Sequence, residues 1–174
     1  GSPLIWTRLV NISFEDKIIH TLNNKSTDKL MLPESSGSSS NIILDSYGRS
    51  KTAMMWKFEY AGNGYYKIKN DITGYYLMAP SNNTNNAKIT QSTYNSTYGL
   101  WMIQRTTDGY YTLQSKNQYE RTTSSPLYLS VSNNYIVQSS DTSNYKWSID
   151  PLIMRMNVLY DAHSKIVILI IWIC

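Results

Sequence analysis

The chain has 174 residues, 16% of them charged, and a formal net charge of +4. That length suits one domain, or one domain with an appendage, able to bury roughly 70% of the surface its unfolded chain exposes. Cys174 is the only cysteine, which excludes an intrachain disulfide, and Lys and Arg are scattered, with no run to follow a phosphate backbone, so nucleic acid is not expected as a partner.

In chain order, Gly1-Ser2 reads as a cloning scar, and residues 1–15 are assigned to an N-terminal extension. Residues 16–150 carry a repeat. Trp56, Trp101 and Trp147 lie 45 and 46 residues apart, and each begins a short apolar motif: Trp56-Lys57-Phe58, Trp101-Met102-Ile103 and Trp147-Ser148-Ile149. A near-constant period of this size means one structural unit copied three times. The first unit is divergent. Its opening strand is expected within Lys17–Leu22, and Leu30 and Ile42 mark its next two strands.

The second unit runs from Gly64 to Arg105 and opens with Gly64-Tyr65-Tyr66. Strands are expected at Tyr66–Asn70, Tyr75–Leu77 and Ala87–Gln91, with the Trp101 strand closing the unit. The third unit, Gly109 to Asp150, opens with Gly109-Tyr110-Tyr111 and repeats the plan at Tyr111–Ser115, Leu127–Leu129, Tyr135–Gln138 and Trp147. On this alignment Leu30, Leu77 and Leu129 are equivalent, as are Ile42, Ile89 and Ile136. No stretch shows a helical period. Three four-stranded units are too few for a propeller. The expectation is all-β: a β-trefoil of three four-stranded repeats of about 45 residues, with an apolar C-terminal extension. The tryptophans are read as core.

Residues 151–174 fall outside the repeat, beginning at Pro151. They end in the run Ile166-Val167-Ile168-Leu169-Ile170-Ile171-Trp172-Ile173. This is far short of the ~20 residues a membrane-spanning helix needs, and its β-branched content argues for a strand. The expectation is a strand buried against the trefoil beside Leu4-Ile5-Trp6. The start of a further domain and an interface with another chain stay open as alternatives.

Catalysis finds little support. His20 and His163 sit in no metal-ligand spacing, Cys174 is terminal, and no pair of carboxylates stands out for glycoside hydrolysis. No enzyme, cofactor or metal is expected. Fifteen tyrosines against two phenylalanines suit half-exposed recognition surfaces, since Tyr combines an apolar face with a hydroxyl. They also suit strands.

The pattern Tyr-Tyr-x-Ile-x-Asn, Tyr-Leu, Ile-x-Gln, Trp-x-Ile resembles the ricin-type (R-type) lectin family over about residues 16–150. The resemblance implies a ricin B-like β-trefoil lectin that binds galactose-type sugars in up to three shallow pockets without metal. It further implies a secreted or extracellular module, a cell-surface glycan-targeting part of a toxin-like protein with a possible partner toxin protein. In such pockets a ring stacks on the sugar while a carboxylate and an amide bond its hydroxyls.

Several of the family's positions are changed here. Its sugar-binding Asp, after the Tyr-Leu pair, falls on Met31, Met78 and Ser130. Its Asn, three residues before the Trp, survives only as Asn144. Its Gln, two before the Trp, is replaced by Met54, Gly99 and Tyr145. Its stacking aromatic is replaced by Ser92 and Ser139. The resemblance therefore points to repeat three, through Ser130, Tyr135, Gln138, Asp141 and Asn144, with Tyr128 or Tyr145 also available to stack. Repeat two offers Gln91, Tyr94 and Asn95. The alternative is a trefoil that has lost sugar binding and serves as a protein-protein scaffold.

Overall fold

The computed structural model describes residues 14, 17–46, 52–160 and 166–173, and for 153–160 and 166–173 the backbone alone. Repeat one comprises β1 (Ile19–Asn24), β2 (Lys29–Pro33), β3 (Ile42–Asp45) and β4 (Trp56–Gly62). Repeat two comprises β5 (Tyr65–Asn70), β6 (Tyr76–Met78), a third strand split into β7 (Ala87–Lys88) and β8 (Thr90–Ser92), and β9 (Trp101–Arg105). Repeat three comprises β10 (Tyr111–Ser115), β11 (Tyr128–Ser132), β12 (Tyr135–Ser139) and β13 (Trp147–Pro151).

The first and last strands of the repeats close on themselves. β1 pairs with β4, β4 with β5, β5 with β9, β9 with β10, β10 with β13, and β13 returns to β1, all antiparallel. This six-stranded barrel has no free edge, which removes the usual hazard of an exposed ladder. The hairpins β2–β3, β6–β8 and β11–β12 cap it. The expected β-trefoil is the observed fold.

The period-2 alternation of the barrel strands explains the core. Trp56, Phe58, Ile68, Trp101, Ile103, Leu113, Trp147 and Ile149 all point inward into one buried cluster. Each indole also spends its N–H inside its own repeat. Trp56 donates to the Met31 carbonyl at 2.9 Å, Trp101 to Leu77 at 3.0 Å, and Trp147 to Leu129 at 3.0 Å. The caps meet at the threefold axis, where Ile42 N–H donates to the Ile89 carbonyl and Ile89 N–H to the Ile136 carbonyl. All three isoleucines are fully buried.

These bonds correct the alignment of repeat one. Met31, opposite Leu44, stands where Leu77 faces Gln91 and Leu129 faces Gln138. Leu30 is one residue out of register. The position after it, where the family carries its acid, is therefore Leu32 and not Met31. A one-residue slip of this kind is hard to see from sequence when Leu30, Met31 and Leu32 are all apolar.

Two short helical pieces were not foreseen. A 3-10 turn covers Thr52–Met54, and α1 covers Lys116–Glu120, capped by Ser115 Oγ accepting from Gln118 N–H. At five residues, α1 is too short to show a helical period in its sequence.

At the open end of the barrel, Phe14 stacks on Phe58 with centroids 4.7 Å apart. His20 sets its ring edge-on to both, at 5.3 and 5.4 Å. Its Nδ1 lies 3.1 Å from the Ile18 carbonyl, and burial pushes its pKa below 6.5.

The tail forms strands, as the β-branched run implies. β14 (Ile153–Tyr160) and β15 (Ile166–Ile173) pair with each other, antiparallel and in unbroken register, in a separate two-stranded sheet. The segment Leu4-Ile5-Trp6, expected beside it, lies outside the described residues. His163 and Cys174 do as well.

Candidate functional site

The structure sorts the expected site residues into structural and free groups. Gln91 and Gln138, both expected to reach a sugar, are buried and committed to backbone. Gln91 Nε2 donates to the Ser35 and Gly37 carbonyls at 3.2 and 2.9 Å, while its Oε1 accepts from the Thr73 hydroxyl at 2.8 Å. Gln138 Nε2 donates to the Asn82 and Thr84 carbonyls at 2.9 and 3.0 Å. Each glutamine thus pins the cap loop of the preceding repeat. Using either on a ligand would break these bonds, at about 0.5–1.5 kcal/mol each.

The same logic explains why repeat one has Leu44 at this place. The loop it would hold belongs to repeat three, and there Asn133 and Asn134, both at positive φ, close β11–β12 in a tight turn. The turn is held directly, with Leu44 N–H donating to the Asn134 carbonyl and Asn134 Nδ2 to the Leu44 carbonyl. The shorter spacing in repeat three and the missing glutamine in repeat one are a single event.

The pocket positions of repeats one and two are filled with apolar side chains. In repeat one, Leu32 and Met54 pack together with Leu30, all buried. In repeat two, Met78 lies so close to Gly99 that a Cβ there would meet its Sδ at 2.9 Å and the Tyr94 ring at 3.1 Å. Neither leaves room or polarity for a sugar hydroxyl. Asn95 is spent on its own turn, accepting from Thr97 N–H at 2.8 Å.

Several tyrosine faces are also covered. Lys67 sits 4.2 Å above the Tyr94 ring and Lys88 3.7 Å above Tyr135. A ring already engaged by an ammonium gains less from a pyranose stacked on it. Tyr135 is moreover at the junction of the caps, opposite Ile43 and with its hydroxyl 3.4 Å from Glu34. The structure therefore separates it from Asp141 and Asn144.

Repeat three differs. Ser130 replaces the large apolar residue, and Tyr145 replaces Met54 and Gly99. Ser130 is itself buried, and its Oγ has no partner among the described residues. It does not reach solvent. Tyr128 and Tyr145 are half-buried and stand edge to face, 5.2 Å between centroids at 82°.

Tyr128 lies directly opposite Ser139, one of the positions that lost the family's aromatic. A ring thus stands across the strand pair from the changed position, which the linear motif could not show. Asp141 is exposed and fixed, accepting from Ser143 N–H at 2.9 Å, which lowers its pKa. The carbonyl of Asn144, half-buried, takes a bond of 2.9 Å from Asn24. Asn70 grips Ala53 identically at 2.7 Å, so this bond is part of the threefold frame.

Residues 52–134 match the family described as ricin-type β-trefoil lectin domain-like. No curated protein matches the chain in sequence. Among solved structures, the chain is similar to a designed threefold symmetric protein, ThreeFoil, at a TM-score of 0.66 and 23% identity, covering 76% of this chain and 97% of that one. It is also similar to a mosquitocidal holotoxin, at a TM-score of 0.68 and 18% identity, over 82% of this chain. A third is the Polyporus squamosus lectin, solved with a sialylated epitope, at a TM-score of 0.66 and 17% identity, over 83% of this chain. The chain spans only 18% of the holotoxin and 52% of the lectin. The closed threefold barrel and the match over residues 52–134 together give the chain a ricin-B-like β-trefoil, lectin-like fold.

Proposed function

We propose that this domain is a non-enzymatic carbohydrate-binding module with one working family-type pocket, at repeat three, serving as the cell-surface glycan-targeting part of a secreted, toxin-like protein. The observation that carries this reading is the Tyr128–Tyr145 pair: two half-buried rings at 82° with no cation over either among the described residues, in the repeat that also holds the fixed carboxylate of Asp141. One ring can take the apolar face of a galactose-type sugar, while Asp141 and the Asn144 side chain bond its hydroxyls. A single shallow pocket binds weakly, so useful affinity requires several sites or several chains.

The test is a glycan array followed by titration of the hits. Binding should disappear in Tyr145→Ala and weaken at least tenfold in Asn144→Ala. A blank array at high protein concentration would instead favour a protein-protein scaffold. That second reading draws support from the apolar filling of repeats one and two by Leu32, Met54 and Met78.

A further inference from the structure

The outer wall of the barrel carries a concavity that the family's pocket positions do not touch. It is an open depression of about 550 Å³ between the outward face of β4–β5 and the turn that follows β5, lined by Lys57, Glu59, Tyr60, Lys69, Asp71 and Ile72 among others. Tyr60 and Ile72 form its two apolar rims, 58% and 51% exposed, and are two of the most exposed large hydrophobic side chains described.

Two lysines and two carboxylates line the floor, and only one pair of them is in ionic contact. Lys57 and Lys69 stand directly opposite each other in the β4–β5 register, an arrangement that is destabilising when both charges are left alone. Asp71 compensates Lys57 at 3.0 Å. Glu59 is engaged by the Tyr76 hydroxyl at 3.1 Å. Lys69 has no carboxylate at ion-pair distance among the described residues, and only the Tyr76 ring, 5.6 Å away, faces its ammonium. The fold thus holds Lys69, without an ion-pair partner among the described residues, in a concave site that an exposed aromatic ring also lines.

The turn that forms the far wall is rigid. Asp71 N–H donates to the Met55 carbonyl, Asn70 Oδ1 accepts from both Ile72 and Thr73 N–H, and the Thr73 hydroxyl is tied to Gln91. Gly74 ends it at φ +75°, where a side chain would be strained. Such preorganisation lowers the entropic cost of binding.

We propose that this depression is a second saccharide site, off the threefold pockets and selective for a sugar that carries a carboxylate. The pyranose face stacks on Tyr60, the carboxylate meets Lys69, and the Lys57–Asp71 pair serves the ring hydroxyls. The site stands whether or not repeat three binds neutral sugars. Together the two would give the bivalence that weak pockets need.

Amide chemical shifts of the whole chain, titrated separately with glucuronic acid and with galactose, test the proposal. Glucuronic acid should move the amides of Tyr60, Ile72, Thr73 and Gly74. Its affinity should fall at least tenfold in Lys69→Gln and in Tyr60→Ala, and stay unchanged in Tyr145→Ala. Lys69 and Tyr60 are outside the core, so both variants are expected to fold, and the dispersion of their spectra checks this. No movement of these amides at tens of millimolar glucuronic acid would overturn the site. So would shifts that persist in both variants, while equal binding of galactose there would overturn the selectivity for acidic sugars. Loss of galactose binding in Tyr145→Ala, with glucuronic acid binding intact, separates failure at repeat three from failure here.

Discussion

Repeats two and three share a barrel and differ at the pocket. In both, the tryptophan is buried and donates to a carbonyl in the second strand, Leu77 or Leu129, and a glutamine pins the cap loop of another repeat. At the acid position repeat two has Met78 packed against Gly99, and repeat three has the buried Ser130, with Tyr145 in place of the glycine. Repeat two fills the position with a buried thioether, and repeat three places a small hydroxyl there and two half-buried rings nearby. Positions that build the barrel are bound by shared geometry, because altering one breaks a threefold packing arrangement. Positions at the pocket rim answer only to the ligand, so each can drift alone.

The shared part should break most severely. Trp101→Ala removes a fully buried ring and its bond to Leu77, and is expected to cost about 3–5 kcal/mol in urea unfolding. Trp147→Ala should cost about as much despite lying in the repeat with Ser130 in place of a large apolar residue. A much smaller loss for Trp147 would mean the core of repeat three is packed more loosely.

The next largest effects separate the repeats. Gly99→Ala drives a Cβ to 2.8 Å from the Asn95 carbonyl and 2.9 Å from Met78 Sδ, and should cost about 1–3 kcal/mol by overpacking. Tyr145→Ala, at the equivalent place in repeat three, should cost less than about 1 kcal/mol by thermal unfolding while removing glycan binding. Equal stability losses at the two positions would erase the contrast. Gln138→Leu removes two hydrogen bonds to the Asn82 and Thr84 carbonyls and should cost about 1–3 kcal/mol in all, at roughly 0.5–1.5 kcal/mol each, showing that this residue serves the frame.

The smallest effect concerns the barrel mouth. Burial lowers the pKa of His20 below 6.5, outweighing the opposing pull of the Ile18 carbonyl and Asp150. The unfolded chain therefore binds a proton more readily than the folded one. Stability should be full above pH 6.5 and decline as the pH falls below it. The urea midpoint measured near neutrality and at roughly pH 5 should fall in the parent chain, and fall less in His20→Phe. An equal fall in both would assign the effect to other groups.

Much of the frame was legible in the sequence. The tryptophan interval, the paired Gly-Tyr-Tyr openings and the Ile42, Ile89, Ile136 series gave three four-stranded units, and hence a trefoil. The candidate site was legible only in part. Asp141, Asn144, Tyr128 and Tyr145 do share one region, whereas Gln91, Gln138 and Ser130 are buried and Tyr135 lies at the cap junction. Glutamine reads the same in sequence whether it faces a sugar or a carbonyl. Its role became visible only once Ser35, Gly37, Asn82 and Thr84, some 55 residues away, were placed beside it.

By itself the sequence determined the repeat, because strand alternation and buried tryptophans recur at fixed spacing and physical packing demands that spacing. Tertiary structure alone decided that the glutamines serve the cap loops, that Met31 and not Leu30 joins the threefold set, and that Lys69 and an exposed Tyr60 line one depression. Each of these depends on cross-strand register and on contacts between distant residues, and neither is encoded in the local order of the chain.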